Sequence, residues 1–160
     1  MTGDTIPNRK NPPIEKAGET DYDEITELWE ASVRATHHFL PEEDIAFFKP
    51  LLRNEFLQAV NLHLLRKDDG SIQGFIGTVE DRIEMLFVRP GAFGTGIGKR
   101  LLHYAITELQ AKKVDVNEQN EGAVGFYLHA GFIIKGRSPL DGWGKPYPLL
   151  HLELDEQVDS

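Results

Sequence analysis

The 160-residue chain predicts an α/β protein built on one mixed sheet with helices packed against it. Three patterns point there. Residues 21–36 repeat with helical period, residues 61–88 read as an antiparallel meander, and beyond 88 strand-like and helix-like segments alternate.

The elements follow in order. Ile14 to Ala17 is read as a first short strand. From Asp21 to Thr36, Ile25, Leu28, Trp29, Ser32, Val33 and Thr36 share one helical face, and Asp23, Glu24, Glu27, Glu30 and Arg34 the other. Asp21 with Glu24 three residues on resembles a capping box. A second helix is expected from Pro41, with Glu42, Glu43 and Asp44 at its positive end. Asn61–Arg66 and Ile72–Val79 are strands joined by an Asp68-Asp69-Gly70 turn. Arg82–Val88 is a third strand, stopped by Pro90. After the glycines of GAFGTGIG comes a helix with Ile97, Leu101, Ala105, Ile106 and Leu109 on its apolar face. Val114–Val116 is a strand, and Asn120–Ala130 a helix closed by Gly131. Phe132–Lys135 and Leu149–Leu154 are the last strands.

Composition bounds the function. Hydrophobic residues are 40%, enough for a packed core and too many for global disorder. We expect a single domain over 12–155, a flexible polar lead at 1–11 and an acidic tail at 156–160. No apolar run approaches the roughly 18 residues of a membrane span, and the start lacks a secretory core, so a cytoplasmic protein is expected. Cysteine is absent, which excludes disulfides, thiolate metal sites and a cysteine nucleophile. The histidines at 37, 38, 63, 103, 129 and 151 show no ligand spacing, so no metal is expected. A net charge of -9 disfavours a nucleic-acid surface and suits cationic partners such as amines.

The chemical signal lies at Phe87–Lys99. A strand ends, glycines turn, and a helix begins, so free amides and the helix dipole face an incoming anion. A plain glycine turn is the bland alternative, but four glycines in eight residues exceed a turn's needs. The Walker A pattern fails at Phe93 and Arg100, and the dinucleotide fingerprint fails at Lys99. A helix-rich interaction domain would leave the GTGIG turn unexplained.

FGTGIGKRLL resembles the coenzyme A pyrophosphate loop of the GCN5-related N-acetyltransferases, [QR]-x-x-G-x-[GA]. Phe93, Gly94, Thr95, Gly96, Ile97 and Gly98 occupy its six places, with Phe93 where Gln or Arg is expected. Asn120 to Phe132 resembles the family's N-x-x-A-x-x-F-Y-x-x-x-G-F segment. SVRATHHFL, VNEQNEGAVGFY and GKPYPLL are similar to a bacterial subgroup of small acetyltransferases. The resemblance implies an acyl-CoA N-acyltransferase fold whose strands splay at the CoA site. It implies an acetyl-CoA-dependent transferase with a small-molecule or peptide amine as acceptor; a monomer or homodimer without a membrane partner is expected. A non-catalytic acyl-CoA sensor on the same fold is the alternative reading.

The resemblance also assigns roles. Phe93 to Lys99 would cradle the diphosphate, and Leu86, Phe87 and Val88 would offer backbone groups to the cofactor arm, with an N–H on the acetyl carbonyl. Asn120, which opens its helix as an N-cap candidate, would also contact the pantetheine, with Phe126 beside it, and Tyr127 would stand by the sulfur. Without a cysteine nucleophile, direct attack in a ternary complex is the natural route. Tyr127 is the candidate general acid, since a phenol near pKa 10 lies close above a thiol near 8.5. Glu84 is either a general base or a solvent-facing strand carboxylate. His37 is either an acceptor-site residue or a helix C-terminal cation. Trp143, in the loop 141–147, either walls the acceptor pocket or packs a turn.

Overall fold

The computed structural model describes residues 13–155. The expected lead at 1–11 and tail at 156–160 lie outside the described residues. Within them, seven strands form one sheet in the order β1-β2-β3-β4-β5-β7-β6. The strands are β1 (Ile14–Lys16), β2 (Asn61–Arg66), β3 (Ile72–Val79), β4 (Arg82–Val88), β5 (Lys113–Asn117), β6 (Phe132–Ser138) and β7 (Leu149–Leu154). All neighbours are antiparallel except β4 and β5. The mixed sheet matches the expectation, and β6 runs three residues past the expected Lys135.

Helices cover both faces. Helix α1 (Tyr22–Thr36) and α2 (Glu42–Leu51) pack with β2 and β3 around Ile25, Leu28, Leu57, Leu64, Ile72 and Phe75. Pro50 lacks the N–H that would close its helical turn, and α2 runs on through a π-helical turn (Leu52–Phe56) into α3 (Leu57–Ala59). On the other face, α4 (Ile97–Glu108) and α5 (Glu121–His129) bury Leu101, Ala105 and Tyr127 against Ile76, Ile83, Val114 and Leu152. Burial of these two clusters is the dominant stabilisation, at roughly 1.5–3 kcal/mol per large apolar side chain.

The Asp21–Glu24 capping box is not formed. Asp21 instead accepts from the Gly18 N–H at 2.9 Å and pairs with Arg66 at 2.6 Å. Glu24 reaches across to the Ile72 N–H at 2.8 Å. For Asp21 the fully charged Arg66 guanidinium, and for Glu24 the Ile72 amide across the chain, take the place of a local cap.

Two sheet features position the site. First, the β3–β4 register jumps: Gly77 faces Met85 and Thr78 faces Ile83, so Glu84 is an extra, bulged residue. The bulge turns Met85 and Phe87 toward α1, and Ile83 and Leu86 toward α4. Second, β4 and β5 pair only at Arg82–Lys113 and Ile83–Val114. Beyond that point the strands part and leave a gap.

Candidate active site

Helix α4 begins at the gap. Gly96 is its N-cap at φ +89°, Gly94 stands at φ +80°, and Gly96 offers no side-chain cap. The amides of Ile97, Gly98 and Lys99 are therefore left for an outside acceptor. A Cβ at Gly94 or Gly96 would meet open space, yet both backbones lie where L side chains are strained. The glycines thus serve the loop's shape and leave room in front of the helix terminus. Gly74 on β3 seats the helix: a Cβ there would lie 3.0 Å from both Ile97 Cγ2 and Leu101 Cδ1.

A cavity of about 620 Å³ runs from this terminus along the end of β4 toward α5 and α1. Its wall includes Leu86, Phe87 and Val88 of β4, Phe93, Gly94, Gly96, Gly98 and Lys99 of the loop, and Asn120, Phe126 and Tyr127 of α5. These are expected site residues brought together. Thr95 and Ile97 belong to the same loop but do not line the cavity; Thr95 Oγ1 turns back to the Ala92 carbonyl at 2.5 Å. Phe93 is 44% exposed at the mouth.

Asn120 caps α5, its side-chain oxygen accepting from the Ala123 N–H at 3.2 Å. That bond turns the rest of the amide toward His37 Nε2, 3.5 Å away. Tyr127 is 6% exposed and packs edge-on to Phe126 and Phe132. Burial pushes its phenol well above the usual range, so it is a fully protonated donor at neutral pH. The shift runs against easy proton release: full transfer to a thiolate is more uphill than an ordinary phenol would make it.

His37 closes the cavity from α1. Thr36 Oγ1 donates to the Ser32 carbonyl at 2.8 Å, so at 2.8 Å from His37 Nδ1 it accepts the imidazole N–H. This leaves Nε2 as the lone-pair side, toward Asn120. Burial, then the neighbouring His38, push the His37 pKa down to about 4. His37 is a neutral wall of the site, not a helix-terminal cation.

Glu84, on the bulge, lines a smaller adjoining cavity of about 120 Å³ shared with His37, Asp115, Asn117, Asn120 and Tyr127. Trp143 lines neither cavity. It is 53% exposed and stands over Phe47, Phe48 and Phe56 at 5.8–6.4 Å. Its loop is tied to α2, since Lys145 pairs with Asp44 at 3.1 Å and the Tyr147 hydroxyl donates to the same carboxylate. Tyr147 in turn neighbours Phe39, which neighbours His37, at 5.9 and 5.3 Å. Sequence reasoning missed Ser32, Thr36, Ala92, Gly122 and Ala123 as cavity lining. For the first two, the signal was polar residues on an otherwise apolar helix face.

Comparison with known proteins agrees with this geometry. The acetyltransferase (GNAT) domain matches residues 38–142. The peptidyl-lysine N-acetyltransferases YjaB of Salmonella typhimurium and Escherichia coli are each 37% identical over 139 residues. Those alignments cover 87% of this chain and 95% and 94% of the relatives. The solution structure of apo YjaB from Escherichia coli superimposes with a TM-score of 0.82 at 35% identity, covering 89% of this chain and 97% of that one. The named relatives are enzymes, which disfavours the binding-only reading. The chain therefore belongs to the GNAT acetyltransferase family and is an N-acetyltransferase.

Proposed function

We propose that the chain acetylates the side-chain amine of peptide lysines, using acetyl-CoA held in the 620 Å³ cavity. The observation that carries the reading is the continuity of that cavity from the uncapped α4 terminus to Tyr127. When bound, acetyl-CoA supplies the acetyl group as a thioester. The residues present fit it. Gly94, Gly96 and the amides of residues 97–99 receive the diphosphate, and the helix dipole favours its charge. Leu86, Phe87 and Val88 present the β4 edge, freed from β5, to the cofactor arm, and an N–H of that edge polarises the acetyl carbonyl. Asn120 meets the arm from the opposite side. The Tyr127 hydroxyl donates to the departing sulfur.

The acceptor enters by the smaller cavity. Glu84 draws in the ammonium and takes its proton, directly or through water, before the amine attacks. Neutral His37 does not repel that cation. The aromatic loop 141–147, with Trp143, stands outside both cavities and is tied to α2. The lysine acceptor is proposed from the named activity of the relatives, together with a net charge of -9 that favours cationic substrates.

The test is free-thiol release from acetyl-CoA with lysine peptides, free amino acids and polyamines as acceptors, with products identified by mass. Lysine peptides should be modified at the side chain. Glu84→Gln should reduce turnover most at neutral pH and recover as pH rises through the amine pKa. Efficient acetylation of a polyamine with none of any lysine peptide would overturn the acceptor assignment.

A further inference from the structure

On the sheet half formed by β5, β7 and β6, three side chains form a hydrogen-bonded row. Asp115 Oδ1 lies 2.7 Å from His151 Nδ1, and His151 Nε2 lies 2.7 Å from Ser138 Oγ. The register explains the row: Asp115 and Gly136 both face His151, on strands either side of it. Val114, Val116 and Leu152 are buried under the helices, so the alternating Asp115 and His151 face the other way. Gly136 lies directly beside the ring, where even a Cβ would make ordinary van der Waals contact with His151 Cδ2 at 3.5 Å.

The chemistry of the row is directional. Asp115 also pairs with Arg82 at 3.2 Å, which holds the carboxylate in place. An ionised carboxylate on Nδ1 assigns the ring proton there, so Nε2 accepts from the Ser138 hydroxyl. Nucleophile, base and orienting acid stand in the order that activates a serine. The row is reachable, with the His151 and Asp115 side chains 38% and 35% exposed. Ser138 and His151 line neither cavity of the acetyl-transfer site.

We propose that Ser138 is a second nucleophilic site that accepts acyl groups from small activated esters. The Ser138 oxygen bonds to the ester carbonyl carbon, and its proton passes to His151 Nε2. The carbon–oxygen bond to the leaving alcohol breaks, and that alcohol takes the proton from His151. Water then cleaves the acyl-serine by the reverse proton route, releasing the carboxylic acid and restoring Ser138. Asp115 is a positioning residue that holds the ring and its tautomer. Stabilisation of the oxyanion is left to amides of β6, which is the edge strand of the sheet. No side-chain donor is aimed there among the described contacts, so acylation is expected with activated donors and slow turnover.

The experiment treats the full chain with 4-nitrophenyl acetate, follows phenolate release and maps the acetyl group by peptide mass. One acetyl on Ser138 is expected. Ser138→Ala should abolish it while leaving N-acetyl transfer intact, which separates this site from the proposed lysine chemistry. His151→Ala should slow it about 10²-fold, with recovery on adding imidazole. Asp115→Asn should slow it and Asp115→Glu should restore part of the rate, since the ring needs a carboxylate acceptor to hold its tautomer. Absence of acetyl-Ser138, or an unchanged rate in folded His151→Ala or His151→Gln, would overturn the proposal.

Discussion

Lowering the pH should charge His37 in the unfolded chain long before it does so in the native one. Its pKa falls from 6.5 to about 4 through burial, with His38 adding repulsion. The native state therefore binds fewer protons than the unfolded state between those values, and stability is lost as pH falls through that window. The full shift corresponds to roughly 3 kcal/mol, and at about pH 4.5 the loss from this one group is about 2.5 kcal/mol. Carboxylates such as Asp21, Glu30 and Asp44, all held below their usual range by their partners, also lose stability in acid. His63 does so as well, because burial lowers its pKa. His37→Gln separates the effects: it removes one titration and leaves the others. Urea unfolding of both proteins at neutral pH and near pH 4.5 should show wild type losing about 2.5 kcal/mol more than the variant. Equal losses would mean that the imidazole is solvated in the native protein, and the argument for a neutral cavity wall would fall with it.

Other expectations follow from the same geometry. Gly96→Val forces a branched side chain onto φ +89° and into the space before the α4 terminus, so calorimetry should show acetyl-CoA affinity reduced at least tenfold. Tyr127→Phe keeps the packed ring and removes the donor, so turnover should fall about 10²–10⁴-fold with acetyl-CoA affinity nearly unchanged; a matching pH–rate profile in both proteins would make the tyrosine structural. Phe93→Arg adds a cation at the exposed mouth and should tighten binding by up to about 1 kcal/mol, an effect that salt removes. Gly74→Ala should loosen the seat of α4, lowering both thermal stability and cofactor affinity.

Much of this was legible where the signal is local. The apolar stripe of α1, the Asn120 cap and the turn glycines are each written within a few residues, and each is where its pattern predicted. Gly131, at φ +107°, ends α5 as expected. What was not legible depends on partners far along the chain. Asp21 and Glu24 spell a capping box, but Arg66 and the Ile72 amide lie more than 40 residues away and win. The bulge at Glu84 is invisible without the β3 register. Trp143 sits in an aromatic loop, which says nothing of whether it faces a cavity or Phe47. The Asp115–His151–Ser138 row joins three strands that no spacing rule connects.

The parting of β4 and β5 has a thermodynamic side. Two strands that separate after a short pairing expose peptide groups that a continuous sheet would satisfy. Without substrate, water must serve them, so those amides of 86–88 and 115–117 that point into the gap, rather than to β3 or β7, should exchange hydrogen faster than amides at 74–76, deep in the β2–β3–β4 ladder. A ligand arm laid along β4 acts as a surrogate strand and should slow that exchange. By mass action it also raises the melting temperature with each increase in ligand concentration. The gap proposed to admit the cofactor arm is thereby the part of the sheet whose solidity would depend on that arm being there.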